Sequence, residues 1–228
     1  TTTFKVELTD LKKLVDDGKV KTGDTIVVTY NAKLNENAVV GQAGNVNKVK
    51  LTYSNNPYKD GTGTTTERNA KVYTYELVVN KTGNGGKALT GAGFTLQKKD
   101  GDTYKTIATI DPDHTTDNSS IVAKIVGGSK FEFSGLDQGE YKIVESTVPK
   151  GYKKADDITF TISATFEKQN AVDAALKTLS VDNTALSVNK TDSGVIETTV
   201  NNKSDSDFVL PSTGGMGRYI FLGLGALV

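Results

Sequence analysis

The sequence predicts an all-β protein built from sandwich domains. Three observations carry that prediction. Short segments alternate apolar and polar residues, the period of a half-buried strand. Gly, Asn and Asp turn signals recur between those segments. Helical spacing is confined to two short stretches. The 228 residues include 36% hydrophobic side chains and no cysteine. That is enough apolar material for a core, with no disulfide to brace it and no thiolate nucleophile.

Taken in order, residues 4–8 (FKVEL) alternate and predict a strand. Residues 9–15 predict a short helix, with Thr9 as N-cap, Leu11, Leu14 and Val15 on one face, and Gly18 as the stop. Strands are expected over 25–34, 48–53 and 72–81, with turns at Asn55-Asn56-Pro57 and Asp60-Gly61. Further strands are expected at 94–97, 104–110, 130–133, 140–145 and 158–162. The spacing of Val172, Leu176 and Leu179 predicts a helical insertion over 166–179. A last strand covers 196–202, and polar residues 204–207 read as a linker. Many short strands with regular turn signals are the pattern of a β-sandwich.

Composition excludes several classes. There are 27 basic and 27 acidic side chains. Only Arg68 and Arg218 among the basic ones are arginines, so there is no electrostatic footprint for nucleic acid. The single histidine, His114, leaves no room for a His-ligated metal or a Ser-His-Asp triad. Its loop, DPDHTTD, has no EF-hand spacing. Glycine-rich residues 83–86 match no phosphate loop and read as a turn. No metal or cofactor is expected.

Three polar residues stand where alternation calls for apolar ones. Tyr73, Tyr75, Leu77 and Val79 form one face of a strand, and Lys81 continues it. Tyr141 and Ile143 are followed on the same face by Glu145. Ile196, Thr198 and Val200 lead to Asn202, while Asn201 faces the other way unless a bulge intervenes. A lysine and a carboxylate buried together are costly as ions. As neutral groups they have chemistry: the amine is a nucleophile, and a protonated acid donates a hydrogen bond to an amide oxygen. Lys81, Glu145 and Asn202 are thus the parts of an amide exchange, with Lys81 attacking Asn202, ammonia leaving, and Glu145 moving the proton. The product is a Lys–Asn isopeptide crosslink. An ordinary ion pair with a snorkelling lysine is the alternative on these residues alone.

Three separated motifs carry a resemblance. They are Gly91-Ala-Gly-Phe-Thr-Leu96, then Phe131-Glu-Phe-Ser-Gly-Leu136 running on to Glu145, then Pro149-Lys-Gly-Tyr152. Over about residues 75–206 the chain resembles a Cna-B-type domain of Gram-positive pilins. That family's E-box, Tyr-x-x-x-Glu-x-x-x-Pro-x-Gly-Tyr, is matched from Tyr141 to Tyr152. The resemblance implies immunoglobulin-like (Cna-B-type) β-sandwich domains in tandem. It implies crosslink residues at Lys81 and Asn202 and the catalytic acid at Glu145. Residues 1–76 resemble the preceding domain of the same backbone pilins. There Asn55 is a candidate for a second crosslink whose lysine lies upstream of Thr1, or else a plain turn residue.

Leu210-Pro211-Ser212-Thr213-Gly214 resembles the LPxTG cell-wall sorting signal. A polar stretch precedes it and an apolar run, 219–228, follows it. That run is too short for a membrane helix, which needs about 20 residues, and reads as a core segment or the first half of an anchor. In the family a sortase cysteine attacks the Thr213 carbonyl, cuts before Gly214, and passes the acyl group to a lysine of another pilin or to the cell-wall peptide. Pro211 holds the segment extended for an active-site groove.

With no starting methionine and an apolar end at Val228, the sequence reads as a C-terminal fragment. The expected division is 1–76, the end of a penultimate domain; 77–206, an isopeptide-forming domain; and 207–228, the sorting signal. The resemblance implies a non-enzymatic backbone pilin, secreted and anchored to the cell wall in a surface pilus. Its expected partners are sortase, neighbouring pilin subunits, peptidoglycan and, as an optional ligand, host extracellular matrix. The rival reading is a wall-anchored adhesin or a minor pilin built from the same modules.

Overall fold

The structure, a computed structural model, describes residues 4–21, 23–56, 58–117, 120–168 and 174–205. The chain divides into two compact units, Thr1–Lys33 and Leu34–Val228.

In the first unit, helix α1 is Leu11–Asp16. Its cap is Asp10 and not Thr9: the Asp10 carboxylate accepts the Lys13 N–H at 2.8 Å. Asp satisfies the N3 donor at least as well as Thr, and starting one residue later aligns it. The strands expected over 4–8 and 25–34 do not form, although Phe4 and Tyr30 meet edge-on with ring centroids 4.7 Å apart. Alternation supplies an apolar face, not the ladder that makes a strand.

The second unit opens with β1 (Asn45–Val49), β2 (Thr52–Ser54), β3 (Thr62–Thr64) and β4 (Arg68–Val72). β1 pairs with β4 and β2 with β3, as separate two-stranded ladders. The strand expected over 48–53 is therefore broken at Lys50-Leu51, and the one over 72–81 is interrupted at Tyr73-Thr74, between the end of β4 at Val72 and Tyr75.

The sandwich follows. β5 is Tyr75–Thr82, β6 Gly93–Asp100, β7 Thr103–Ile110, β8 Thr115–Asp117, β9 Val122–Val126, β10 Lys130–Leu136 and β11 Gly139–Thr147. β12 is Ile158–Glu167, β13 Ala175–Val181, β14 Leu186–Val188 and β15 Val195–Asn201. One sheet runs β14-β15-β5-β10-β9 and the other β13-β12-β11-β6-β7-β8. Their inner faces share one core, in which Leu77, Phe131 and Ile196 meet Phe94, Leu96, Tyr141 and Phe160. Phe94 and Phe131 pack edge-to-face between the sheets at 4.8 Å. The all-β sandwich predicted by the alternation is thus the observed fold.

Two expectations fail within the sandwich for stated reasons. Residues 166–179 are not helical: Phe166 ends β12, and Leu176 and Leu179 lie on β13. Both leucines are buried although three residues apart. A bulge at Lys177 explains this, since Thr165 pairs with Thr178 and Phe166 with Leu176. One extra residue turns a spacing of two into three, which imitates a helical period. Val172 lies outside the described residues. The polar linker expected at 204–207 is not free at its start, because Ser204 bridges to Tyr152 and the Asp205 N–H donates to the Gly151 carbonyl at 2.9 Å.

Gly135 marks a second irregularity, where the register of β10 against β5 shifts between Ser134 and Leu136. Its φ is +89°, and a Cβ there would fall 2.0 Å from the Ser120 carbonyl oxygen. Gly135→Ala is expected to cost about 2 kcal/mol or more from strain and clash. That corresponds to a melting temperature lowered by roughly 4–8 °C, followed by circular dichroism. An unchanged melting temperature would show that the bulge relaxes freely.

Candidate functional site

The site is assembled by three strands. β5 and β15 are the first and last strands of the sandwich, and they lie side by side and parallel, with Lys81 opposite Val200. Asn202 follows directly, and its backbone N–H donates to the Thr82 carbonyl at 2.9 Å. β11 belongs to the facing sheet and points Glu145 between them. All three side chains are buried, with residue exposures of 1% for Lys81, 3% for Glu145 and 1% for Asn202. The alternation read from the sequence therefore holds at each of them. β15 has no register shift, so Asn201 turns outward and donates to the Gly83 carbonyl at 2.8 Å.

The Lys81 amine lies 3.6 Å from Glu145 Oε1. It donates to the Val200 carbonyl at 3.1 Å and the Thr82 carbonyl at 3.2 Å. Glu145 bridges: Oε1 accepts from Asn202 Nδ2 at 2.7 Å, and Oε2 accepts from the Ala155 N–H at 2.8 Å. Burial pushes the Lys81 pKa down, and the neighbouring Glu145 carboxylate offsets part of that. The consequence is an ammonium that gives up its proton more readily than that of an exposed lysine.

Asn202 Oδ1 is buried with no hydrogen-bond partner. A half-turn of the carboxamide exchanges its oxygen and nitrogen at almost no steric cost. Oδ1 would then face Glu145 Oε1, a contact that is favourable only with a proton between the two oxygens. Glu145 and Lys81 have one such proton to share. Moving it from the ammonium to the carboxylate leaves a neutral amine and a neutral acid with no change in net charge.

The other sequence-derived candidates lie elsewhere. Asn55 is exposed at the turn between β2 and β3, where its N–H donates to the Gly61 carbonyl at 3.1 Å. Leu210, Pro211, Ser212, Thr213 and Gly214 lie outside the described residues. Tyr141, at the head of the E-box, does not reach the trio. Its hydroxyl donates to Asp137 Oδ1 at 2.6 Å, and burial pushes its pKa up. Sequence reasoning missed the Ala155 N–H and the Thr82 and Val200 carbonyls. These are backbone groups, so no residue type announces them.

Comparison with known proteins bears on the same region. Residues 75–178 match the family of SpaA prealbumin-like fold domains. Over 168 residues the chain is 31% identical to the trypsin-resistant surface T6 protein of Streptococcus pyogenes serotype M6, covering 66% of this chain and 27% of that protein. Among solved structures, the T6 backbone pilin of serotype M6 S. pyogenes is 23% identical, with 75% of this chain and 45% of that chain covered and a TM-score of 0.47. The major pilin subunit of Bacillus cereus is 24% identical over 57% of this chain and 28% of that one, with a TM-score of 0.31.

Proposed function

We propose that this protein, whose residues 75–178 match the family of SpaA prealbumin-like fold domains, is a structural pilus subunit that crosslinks itself through Lys81 and Asn202. The observation that carries this is the contact of Glu145 with both partners in one buried pocket.

The chemistry balances without any external reagent. The neutral Lys81 amine adds to Asn202 Cγ while Glu145 hands its proton to Oδ1. Glu145 then takes the surplus proton from the former lysine nitrogen and delivers it to Nδ2. The Cγ–Nδ2 bond breaks and ammonia leaves, Oδ1 returns its proton to Glu145, and an Nζ–Cγ amide remains. Each group reacts once, so the protein is the product of the reaction and does not turn over. Burial helps throughout, because a preorganised donor stabilises the developing oxyanion more in a dry site than in water.

We further infer that Leu210–Gly214 is read by a sortase, which cleaves between Thr213 and Gly214 and joins Thr213 to a neighbouring subunit or to peptidoglycan. The fibre would then stand on the cell wall. In this reading residues 1–76 close a preceding domain, 77–206 form the crosslinked one, and 207–228 carry the sorting signal. Asn55 is the candidate for a crosslink in the preceding domain.

The test is the intact mass of the purified, folded 228-residue chain. The expected mass is one ammonia below the calculated value, and the full calculated mass in Lys81→Ala. A folded wild-type chain that retains its ammonia would sink the crosslink and leave Lys81 and Glu145 as a buried ion pair.

A further inference from the structure

The segment that follows β11 lies against the site. Residues 149–155 turn back across it, with the Tyr152 N–H donating to the Pro149 carbonyl at 3.2 Å. The same segment touches Glu145 itself and the chain just beyond Lys81 and Asn202. It holds Glu145 directly, through the Ala155 N–H at 2.8 Å. It holds the chain just beyond Asn202 through two backbone bonds, Lys153 N–H to the Lys203 carbonyl and Asp205 N–H to the Gly151 carbonyl, each 2.9 Å. The Asn84 side chain adds a third tie there, accepting the Ser204 N–H at 3.1 Å.

The third link is a close approach. Tyr152 lies against Gly83, two residues after Lys81. A Cβ at position 83 would stand 2.9 Å from Tyr152 Cε1 and 3.1 Å from its hydroxyl oxygen. Gly83 has φ −117° and ψ −155°, extended backbone open to any residue. What position 83 requires is the missing side chain, which admits the ring.

Resting on the crosslink reading above, we propose that residues 149–155 are a strap that must close, with Tyr152 seated on Gly83, before Lys81 and Asn202 react. Tyr152 and Gly83 are positioning residues. The closed strap fixes the Glu145 carboxyl, pins the backbone on either side of the pocket and keeps water out. Bond formation is thereby tied to the docking of residues 203–205, so the crosslink forms only on a domain whose last segment is in place. A partly folded chain with that segment undocked holds the same three side chains and does not join them.

The strap also sets the pH behaviour. β5 and β15 present carbonyls to Lys81, and Glu145 from β11 is the charged group acting on it. In the closed pocket the proton passes between Lys81 and Glu145, so the rate does not depend on solvent pH. With the strap open, water stabilises the ammonium, and the reactive amine fraction grows as pH rises toward the ordinary lysine range.

The experiment uses the full chain, purified unfolded, refolded at about pH 6 to about pH 9 and followed by intact mass. Circular dichroism gives the folded fraction in parallel. Gly83→Ala is expected to slow ammonia loss roughly 10–100-fold, the usual effect of a small misplacement of reacting groups. Tyr152→Ala is expected to slow it similarly, and the double variant no further, because without the ring the three atoms nearest the Cβ at 83 are gone. Tyr152→Phe should restore the wild-type rate. The slow variants should gain a rate that rises with pH, which a loss of stability alone would not produce. If Gly83→Ala fails to fold, the double variant and Tyr152→Ala still read the strap. Folded Tyr152→Ala reacting at the wild-type rate with a flat pH profile would overturn the strap and leave the crosslink standing. A wild-type chain that keeps its ammonia would instead remove the crosslink on which the strap depends.

Discussion

Glu145→Gln is expected to leave the full calculated mass on a folded chain and to lower its thermal stability by about 4–5 kcal/mol, the loop-closure value for roughly 100 crosslinked residues. Gln is nearly isosteric and keeps an acceptor for the Ala155 N–H, but it cannot carry the proton from amine to amide. The pocket would be built and the bond would not form. The loop held by the crosslink runs over residues 82–201, almost the whole sandwich, so the unfolded chain regains most of its freedom when the bond is absent. At this size the loss corresponds to a melting temperature lower by roughly 10–20 °C. Lys81→Met serves as the control. It also prevents the bond, and it removes the buried cation while filling similar volume. Both variants leave Glu145 buried without its partner, and Lys81→Ala should fall further than Lys81→Met because it also leaves a cavity, a change worth about 2–5 kcal/mol. Ammonia loss in Glu145→Gln at the wild-type rate would remove Glu145 from the reaction.

Under mechanical load the wild-type sandwich is expected to stay short, while Glu145→Gln lengthens by roughly 400 Å, the contour of residues 82–201 at about 3.4 Å each. The topology gives the reason. β5 and β15 are parallel neighbours, so force applied to the chain before Tyr75 and after Asn202 enters the beginning of one strand and leaves from the end of the other. Lys81 and Asn202 sit at the far end of that pair. Tension in the crosslinked chain would run along β5, across the amide and out through Lys203, bypassing everything between. Without the bond the same load shears β5 from β15, and the sheets follow. Single-molecule extension of the full chain between its ends reads the difference. Release of the full contour from a wild-type chain that has lost its ammonia would refute this load path. It is a strength that a cysteine-free chain has no disulfide to provide.

The division between what was legible and what was not follows the range of each interaction. The inward positions of Lys81, Glu145 and Asn202 were readable because the side-chain direction along a strand is a local property with a period of two. The sandwich class was readable for the same reason. Where the ladder departs from regularity the reading failed: the bulge at Lys177 made Leu176 and Leu179 imitate a helix. It failed again over 4–8 and 25–34, where an alternating segment does not become a strand by itself.

By itself, then, the sequence determined the class of fold and the three polar residues that face inward, since both are set by periodicity along the chain. The tertiary structure alone decided that β5 and β15 are parallel neighbours, that β11 faces them, and that residues 151–155 bond to Glu145 and to the chain beyond Asn202. Those are contacts between segments far apart in sequence, carried largely by backbone N–H and C=O groups that every residue possesses. A pattern of side chains says which way a residue points; only the folded chain says what it meets there.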